Sequence, residues 1–144
     1  MSEKKLEDLS SAMADIDFTM LATHSEGEIA TRPMSNNGDV KYEGDSFFFA
    51  LQETRTVQDI EKDPRVSLSY QGKAGLLGKP PMFIAVEGRA ELIRDKSTFA
   101  RHWKKDLAFY FEDGIDTPGL VLIKVHAARI HWWDGKDEGE LVVG

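Results

Sequence analysis

The stretch Ser46–Gln52 (SFFFALQ) decides the fold class, because it is apolar on both faces of a strand. Successive side chains of a strand point to opposite faces, so Phe48 and Ala50 share one face. The other face carries three large apolar side chains: Phe47, Phe49 and Leu51. A strand in a lone small barrel buries only its inner face. The sequence therefore predicts that a helix or a second subunit covers the outer face.

The rest of the chain reads as strands joined by short helices. Apolar alternation predicts five further strands, at Phe18–Thr23, Ile29–Ser35, Arg65–Tyr70, Met82–Ile93 and Gly119–Trp133. Helical spacing predicts helices at Ser2–Ile16, Thr54–Asp63 and Asp95–Lys105. The tail Gly139–Val143 is either a short edge strand or a segment that docks on a partner. The order predicts a mainly β fold with short helices (α+β), a small six-stranded antiparallel barrel formed as one domain over residues 1–144.

Four local features refine this prediction. Pro33 has no N–H to donate, which places its strand at an edge, a bulge or a ligand. Gly88 predicts a kink in the long strand that contains it. Thr56–Asp59 has the spacing of a capping box at a helix start. Gly72–Pro81 holds three glycines and two prolines and is predicted to be a mobile loop.

Composition excludes several classes of protein. The 144 residues include no cysteine, which excludes disulfides, thiolate metal sites and cysteine nucleophiles and favours a cytoplasmic location. The formal net charge of -7 disfavours nucleic acid and anionic membranes as partners. No serine lies in a Gly-x-Ser-x-Gly elbow, and no glycine-rich nucleotide turn is present.

The four histidines do not predict a metal site. His126 and His131 lie an odd number of positions apart on one strand, so they point to opposite faces unless a bulge intervenes. His24 is predicted at a hairpin turn and His102 on a helix, and no pair has the spacing of metal ligands.

The start of the second helix is a candidate anion site. Thr54, Arg55 and Thr56 combine hydroxyl donors and a guanidinium with the free N–H groups of a helix start. Arg32, on a strand, is expected to point its charge into a cleft. The alternative is that Arg55 is a solvated surface arginine and the threonines only cap the helix. Adjacent Trp132 and Trp133 put one ring on each face of a strand, for packing or as a wall for a flat ligand.

The order of motifs resembles the general stress protein branch of the pyridoxamine 5'-phosphate oxidase-like flavin-binding split barrels. Seven stretches carry the resemblance and cover nearly the whole chain: Met20–Thr23, Thr31–Met34, Phe47–Phe49, Lys62–Tyr70, Val86–Ala90, Tyr110–Pro118 and Trp133–Asp134. Each is weak alone, and their shared order is specific.

The resemblance implies a six-stranded split β-barrel homodimer with FMN in each of two clefts at the dimer interface. The outer face of Ser46–Gln52 would then meet the other subunit. The cofactor-binding residues that it implies are Arg32, Pro33, Met34, Ser35, Phe49, Ala50, Leu51, Thr54, Arg55, Thr56 and Trp133. The family commonly has lysine where this chain has Thr56, and the neighbouring Glu53 further weakens the local positive field.

The implied function is an FMN-dependent oxidoreductase that takes a hydride from a reduced nicotinamide or another donor and passes electrons to a small substrate. Two alternatives stay open: a non-catalytic flavin-binding stress protein that acts as a reservoir or sensor, and a cofactor-less dimeric interaction module. A deazaflavin in place of FMN is a variant of the first. Oxidation of vitamin B6 is not predicted, because Phe83 and Ala85 stand where that branch has a polar residue.

Overall fold

A computed structural model describes residues 4–37 and 40–143. The helices of this part of the chain are α1 (Leu6–Ala14), α2 (Arg55–Lys62) and α3 (Lys96–His102), with single 3₁₀ turns at Leu76–Gly78, Lys105–Phe109 and Gly114–Asp116. The strands are β1 (Phe18–Ser25), β2 (Glu28–Ser35), β3 (Asp45–Leu51), β4 (Arg65–Gln71), β5 (Phe83–Ile93), β6 (Leu120–Asp134) and β7 (Asp137–Val142). No helix of the described residues has the length and apolarity needed to cross a bilayer.

The strands form one antiparallel sheet in the order β2-β1-β4-β5-β6-β3, curled into a split barrel. β6 is 15 residues long and pairs with β5 along one side. Its other side is shared, since β3 pairs with the first half of β6 and β7 pairs with the second half. β2 lies at an edge of the sheet, as Pro33 predicts, and the tail segment is a strand that extends the same sheet.

The barrel interior is filled by side chains from β1, β3, β4, β5 and β6. Leu21, Leu68, Val86 and Ile130 are fully buried there. Burial of each such side chain stabilises the fold by about 1.5–3 kcal/mol. α1 adds Leu9 and Met13 to the same cluster, and α2 adds Ile60. The short helices therefore belong to the core of the barrel, and they hold the segments that precede β1 and β4.

The outer face of β3 is covered within the same chain. Phe47, Phe49 and Leu51 pack against a second apolar cluster that includes Phe99 of α3, with Trp103 and Phe111 from the segment after it. Phe49 meets Phe99 and Trp103 edge to face, with ring centroids 5.7 and 5.2 Å apart. The prediction of a covering helix is confirmed, and this helix explains the apolar outer face without a second subunit.

Gly88 lies where β5 crosses closest to β6. A β-carbon built at this position would lie 2.3 Å from the backbone oxygen of His126, which no side chain tolerates. The register of β5 against β6 shifts between Glu87 and Gly88, so the predicted kink is a β-bulge. The shift also changes the phase of β6. His126 and His131 consequently point away from the barrel interior together, although their spacing in a regular strand would separate them.

The predicted boundaries differ from the structure at three helices. Of the predicted Ser2–Ile16 helix, Leu6–Ala14 is helical, and Ser2 and Glu3 lie outside the described residues. α2 is capped by Thr54 rather than Thr56, because the Thr54 hydroxyl accepts the N–H of Val57 at 3.5 Å. α3 begins after Asp95, which accepts the N–H of Thr98 at 3.1 Å as predicted, but it ends at His102 instead of Lys105.

Candidate functional site

A cleft of about 850 Å³ opens between α1, the end of β2, the start of β3 and the segment that follows α3. Its wall includes the aromatic side chains of Phe18, Phe47, Phe49, Phe109, Tyr110 and Phe111, together with polar and charged residues such as Asp17, Lys41 and Asp45. Of the predicted cofactor residues, four line this cleft: Pro33, Met34, Ser35 and Phe49. The cleft has the apolar lining and the size of a small-molecule site.

His102 lies in the same cleft, stacked on Phe47 with ring centroids 3.9 Å apart. Burial lowers the pKa of His102, and the nearby charges of Arg101 and Lys124 lower it further. The imidazole is therefore neutral at physiological pH and presents a flat polar surface among the phenylalanines.

Two tyrosines at the base of the cleft form a polar group that the sequence analysis missed. Tyr70 lies within 3.4 Å of the Ser46 hydroxyl, and burial raises its pKa. Tyr42 is 8% exposed, and its hydroxyl has no hydrogen-bond partner among the described residues. Burial, followed by the proximity of Tyr70 and Asp45, raises the pKa of Tyr42. Both phenols are thus neutral groups, and no local motif marks them.

Arg32 does not line the aromatic cleft. Its Nη1 donates to the Thr23 hydroxyl at 2.8 Å and lies near the backbone oxygens of Leu21 and Ala30. Its Nη2 lies 3.5 Å from a carboxylate oxygen of Asp59, which is 5% exposed on α2. Burial lowers the pKa of Arg32, Asp59 raises it, and the charge of Arg55 lowers it. The guanidinium is therefore held between β1, β2 and α2.

Arg55 is the first residue of α2, and its side chain is exposed. Its Nε donates to the buried Ser25 hydroxyl at 2.6 Å, which fixes the guanidinium beside the end of β1. Among the described residues, no acceptor faces its two terminal nitrogens. Both are therefore available as donors to solvent or to a ligand.

The residues between the cleft and Arg55 connect the two. Ala50 packs on the main core, and Leu51 packs on the second cluster. The carbonyl of Leu51 accepts both the N–H and the hydroxyl of Thr54, at 3.0 and 2.7 Å. This double contact turns the chain from β3 into α2. Thr56 follows in the first turn of the helix, half-buried.

Trp133 lies on a different surface of the chain. Trp132 is buried, and Trp133 is 38% exposed on the outer face of the sheet, as predicted for adjacent residues of a strand. Trp133 stacks on His131 with ring centroids 4.0 Å apart. It lines a second, apolar pocket of about 570 Å³ with Pro80, Pro81 and Phe83. Within one chain, Trp133 and the cleft residues of β2 thus belong to separate pockets.

The histidines pair with carboxylates. His126 Nδ1 lies 2.6 Å from Asp45, and His131 lies 2.8 Å from Glu138 and 3.4 Å from Glu140. Over residues 4–37 and 40–143, the structure brings no three His, Asp or Glu side chains together in an arrangement that could hold a metal ion.

The site residues fit a flat, phosphate-bearing ligand in two respects. An aromatic cleft of sufficient volume is present, and Arg55 directs two unpaired N–H-bearing nitrogens to solvent at the start of α2. β3 connects these two parts along the chain, because its residues 45–49 line the cleft and its last residue, Leu51, accepts from Thr54 directly before Arg55. The sequence pointed to Arg55 and to the cleft strands, and it gave no sign of Asp59 as the partner of Arg32.

Comparison with solved structures confirms the split-barrel fold. General stress protein 26 from Bacillus anthracis is 19% identical, with a TM-score of 0.75 over 94% of this chain and 98% of that one. A protein related to general stress protein 26 from Clostridium acetobutylicum is 18% identical, with a TM-score of 0.80 over 99% and 97%. A heme binding protein from Mycobacterium smegmatis is 17% identical, with a TM-score of 0.77 over 99% of this chain and 60% of that one.

Comparison with curated proteins gave no match. The sequence profile of one family, described as pyridoxamine 5'-phosphate oxidase like, matches residues 4–144. The motifs that carry the resemblance, the sheet order and the profile agree over almost the entire chain. The chain therefore belongs to the pyridoxamine 5'-phosphate oxidase-like family.

Proposed function

We propose that this chain binds FMN as a homodimer and acts as a flavin-dependent oxidoreductase on a small substrate. The observation that carries the proposal is the position of Arg55, which presents two unpaired nitrogens at the start of α2, directly after a strand that lines the aromatic cleft. Membership of the family supports it, and the aromatic walls suit a flat ring system.

Each part of the chain has a defined role in this proposal. Arg55, the first N–H groups of α2 and the Thr56 hydroxyl would hold the phosphate. Pro33, Met34 and Phe49 would contact the ring system, which supplies the hydride-transfer chemistry when it is bound. The protein would bind and orient the ring and exclude water from it.

A second copy would complete the site. Trp133 and the residues of β2 line two different pockets of one chain, and in this proposal a second chain brings its own Trp133 to the cleft. The face around Trp133 offers exposed apolar surface for such a contact, since its register partner Phe83 is 40% exposed.

Purification followed by desalting tests flavin binding directly. We expect a yellow protein, or a colourless one whose melting temperature rises when excess FMN is added, since binding to the native state raises apparent stability. A colourless protein that FMN does not stabilise contradicts the proposal. Heme is added separately in the same assay. A rise in melting temperature with heme would mean that this chain binds the ligand named for the Mycobacterium smegmatis neighbour.

The Arg55→Ala variant tests the phosphate contact. We expect it to weaken FMN binding by about tenfold or more and riboflavin binding by less than about twofold, because riboflavin lacks the phosphate. Arg101→Ala, which removes an exposed arginine of α3, is the matched control and should change neither affinity. Equal losses for FMN and riboflavin in Arg55→Ala refute the role of Arg55.

Anaerobic reduction separates turnover from storage. Rapid reduction of the bound flavin by a reduced nicotinamide supports an oxidoreductase. Slow reduction of the flavin by each of the two reduced nicotinamide cofactors, phosphorylated and unphosphorylated, favours the non-catalytic reservoir or sensor.

A further inference from the structure

Asp59 is a buried carboxylate that the proposed function does not yet use. One of its oxygens accepts the Thr23 hydroxyl at 2.9 Å and lies 3.5 Å from Arg32 Nη2. Thr23 in turn accepts from Arg32 Nη1 at 2.8 Å. The three side chains form a closed network between β1, β2 and α2, with Thr23 and Asp59 almost fully buried.

This network engages both terminal nitrogens of Arg32. Nη1 faces Thr23 and two backbone oxygens, and Nη2 faces Asp59, so both terminal nitrogens point into the protein. The Arg32 side chain is only 18% exposed. An arginine held in this way contributes its charge to the surroundings, but it has little freedom to form a bidentate contact with a ligand.

The charges around the start of α2 therefore partly cancel. The charge of Arg55 lowers the pKa of Arg32, and Asp59 lies against Arg32. The carboxylate of Asp59 offsets one of the two positive charges, the neighbouring Glu53 weakens the positive field further, and the exposed Arg55 presents its charge to solvent. Thr56 contributes a hydroxyl and no charge.

We infer that Asp59 is a specificity-determining residue: it neutralises Arg32 as an internal ion pair, and it thereby sets how strongly the site prefers a phosphorylated ligand over its unphosphorylated form. The inference rests on the proposed function, because it assigns the phosphate to this site. Arg55 is then the one side chain of this phosphate site that brings a full positive charge to the ligand, and the effect of that charge is limited by a carboxylate one helical turn further along α2.

The Asp59→Asn variant tests the inference, since the amide retains an oxygen acceptor for Thr23 and Arg32 and removes the negative charge. We expect the ratio of FMN to riboflavin affinity to rise about tenfold, the order of effect of one unit charge near a half-exposed site. Thr23→Val is the matched control, because it removes the hydroxyl that bridges Arg32 and Asp59 and leaves every charge in place. Its ratio should stay within about twofold of the wild type. An unchanged ratio in Asp59→Asn overturns the inference.

The double variant Arg32→Gln with Asp59→Asn removes one charge of each sign. If Arg32 acts only as the partner of Asp59, the double variant keeps a ratio of FMN to riboflavin affinity close to that of the wild type. If the ratio falls to that of Arg55→Ala, Arg32 binds the phosphate itself and the inference is wrong. This variant also decides the matter if Asp59→Asn alone fails to fold, because it leaves no buried charge unpaired.

Inorganic phosphate provides a measurement that does not depend on flavin. Phosphate should raise the melting temperature of Asp59→Asn more than that of the wild type, with chloride at equal ionic strength as the control. If the wild type binds neither FMN nor riboflavin, the proposed function fails. A larger phosphate shift in Asp59→Asn would still support the charge-setting role of Asp59, and equal shifts would overturn it.

Discussion

The hydroxyl of Tyr42 is buried at the base of the cleft without a hydrogen-bond partner among the described residues. A buried polar group without a partner has lost its hydration and gained nothing in return. We therefore expect Tyr42→Phe to stabilise the protein by about 1 kcal/mol. Chemical denaturation with urea measures the change.

Tyr70→Phe is the comparison for this prediction. Tyr70 is equally buried, but its hydroxyl faces that of Ser46 at 3.4 Å. Removing the Tyr70 hydroxyl takes this partner away from the buried Ser46 hydroxyl, so Tyr70→Phe should not stabilise the fold. A Tyr42→Phe variant that is as destabilised as Tyr70→Phe would show that the Tyr42 hydroxyl has a partner in solution.

The limits of sequence reasoning are clearest at Arg32. The alternation of side chains along its strand predicted that its charge points into a cleft. Its partner Asp59 lies 27 positions away, on a helix whose rotation about its axis decides which residue meets β2. Neither the rotation nor the contact is encoded in local spacing, so the charge of Arg32 was assigned to a cleft that its guanidinium does not line.

The elements themselves were largely predictable because most of them have one apolar face. The six main strands lie within two residues of their predicted bounds, since alternation reports burial directly. The start of α2 was less predictable. Thr54 and Thr56 lie on either side of its first residue, and the capping residue is Thr54 because the Leu51 carbonyl at the end of β3 holds it. The phase of β6 was hidden as well, because the bulge opposite Gly88 changes which residues face inward.

The cap of α2 gives a prediction at the level of the element. Thr54→Ala removes the hydroxyl that accepts the Val57 N–H and donates to the Leu51 carbonyl, and it should destabilise the fold by about 1 kcal/mol. Thr56→Ala removes a hydroxyl from the same turn that does not cap the helix, so it should change stability by less than about 0.5 kcal/mol. Thermal unfolding of both variants checks this. A larger loss in Thr56→Ala would place the cap where the sequence first suggested it.

At the scale of the whole molecule, the outer face of the sheet is unusually apolar. Phe83 of β5 and its register partner Trp133 of β6 are 40% and 38% exposed, and Phe18 and Met20 of β1 are 57% and 40% exposed beyond the polar Ser69 and Gln71 of β4. Exposed apolar patches such as that of Phe83 and Trp133 mark interaction surfaces. Together with the separate positions of Trp133 and the cleft, this face supports the proposed homodimer.

Sedimentation velocity tests the homodimer. We expect the wild type to sediment as a dimer and Phe83→Asp to sediment as a monomer, because a charge at the centre of the patch cannot be buried without a partner. Ile29→Asp is the control, since Ile29 is 72% exposed beside the turn between β1 and β2. If Phe83→Asp remains a dimer and still binds flavin, another face of the protein forms the dimer interface.

The shared strand β6 also determines when the sheet can be completed. Asp45 of β3 pairs with His126 of β6, 81 positions further along the chain. During synthesis on the ribosome, β3 is made long before the strand that it needs, and Phe47–Leu51 must wait without its hydrogen-bonding neighbour. A nascent chain that stalls before residue 120 would expose an apolar strand edge of the kind that aggregates. For this protein, the hazardous interval in synthesis is therefore the translation of the segment between β3 and β6, and chaperone protection would be needed most during that interval.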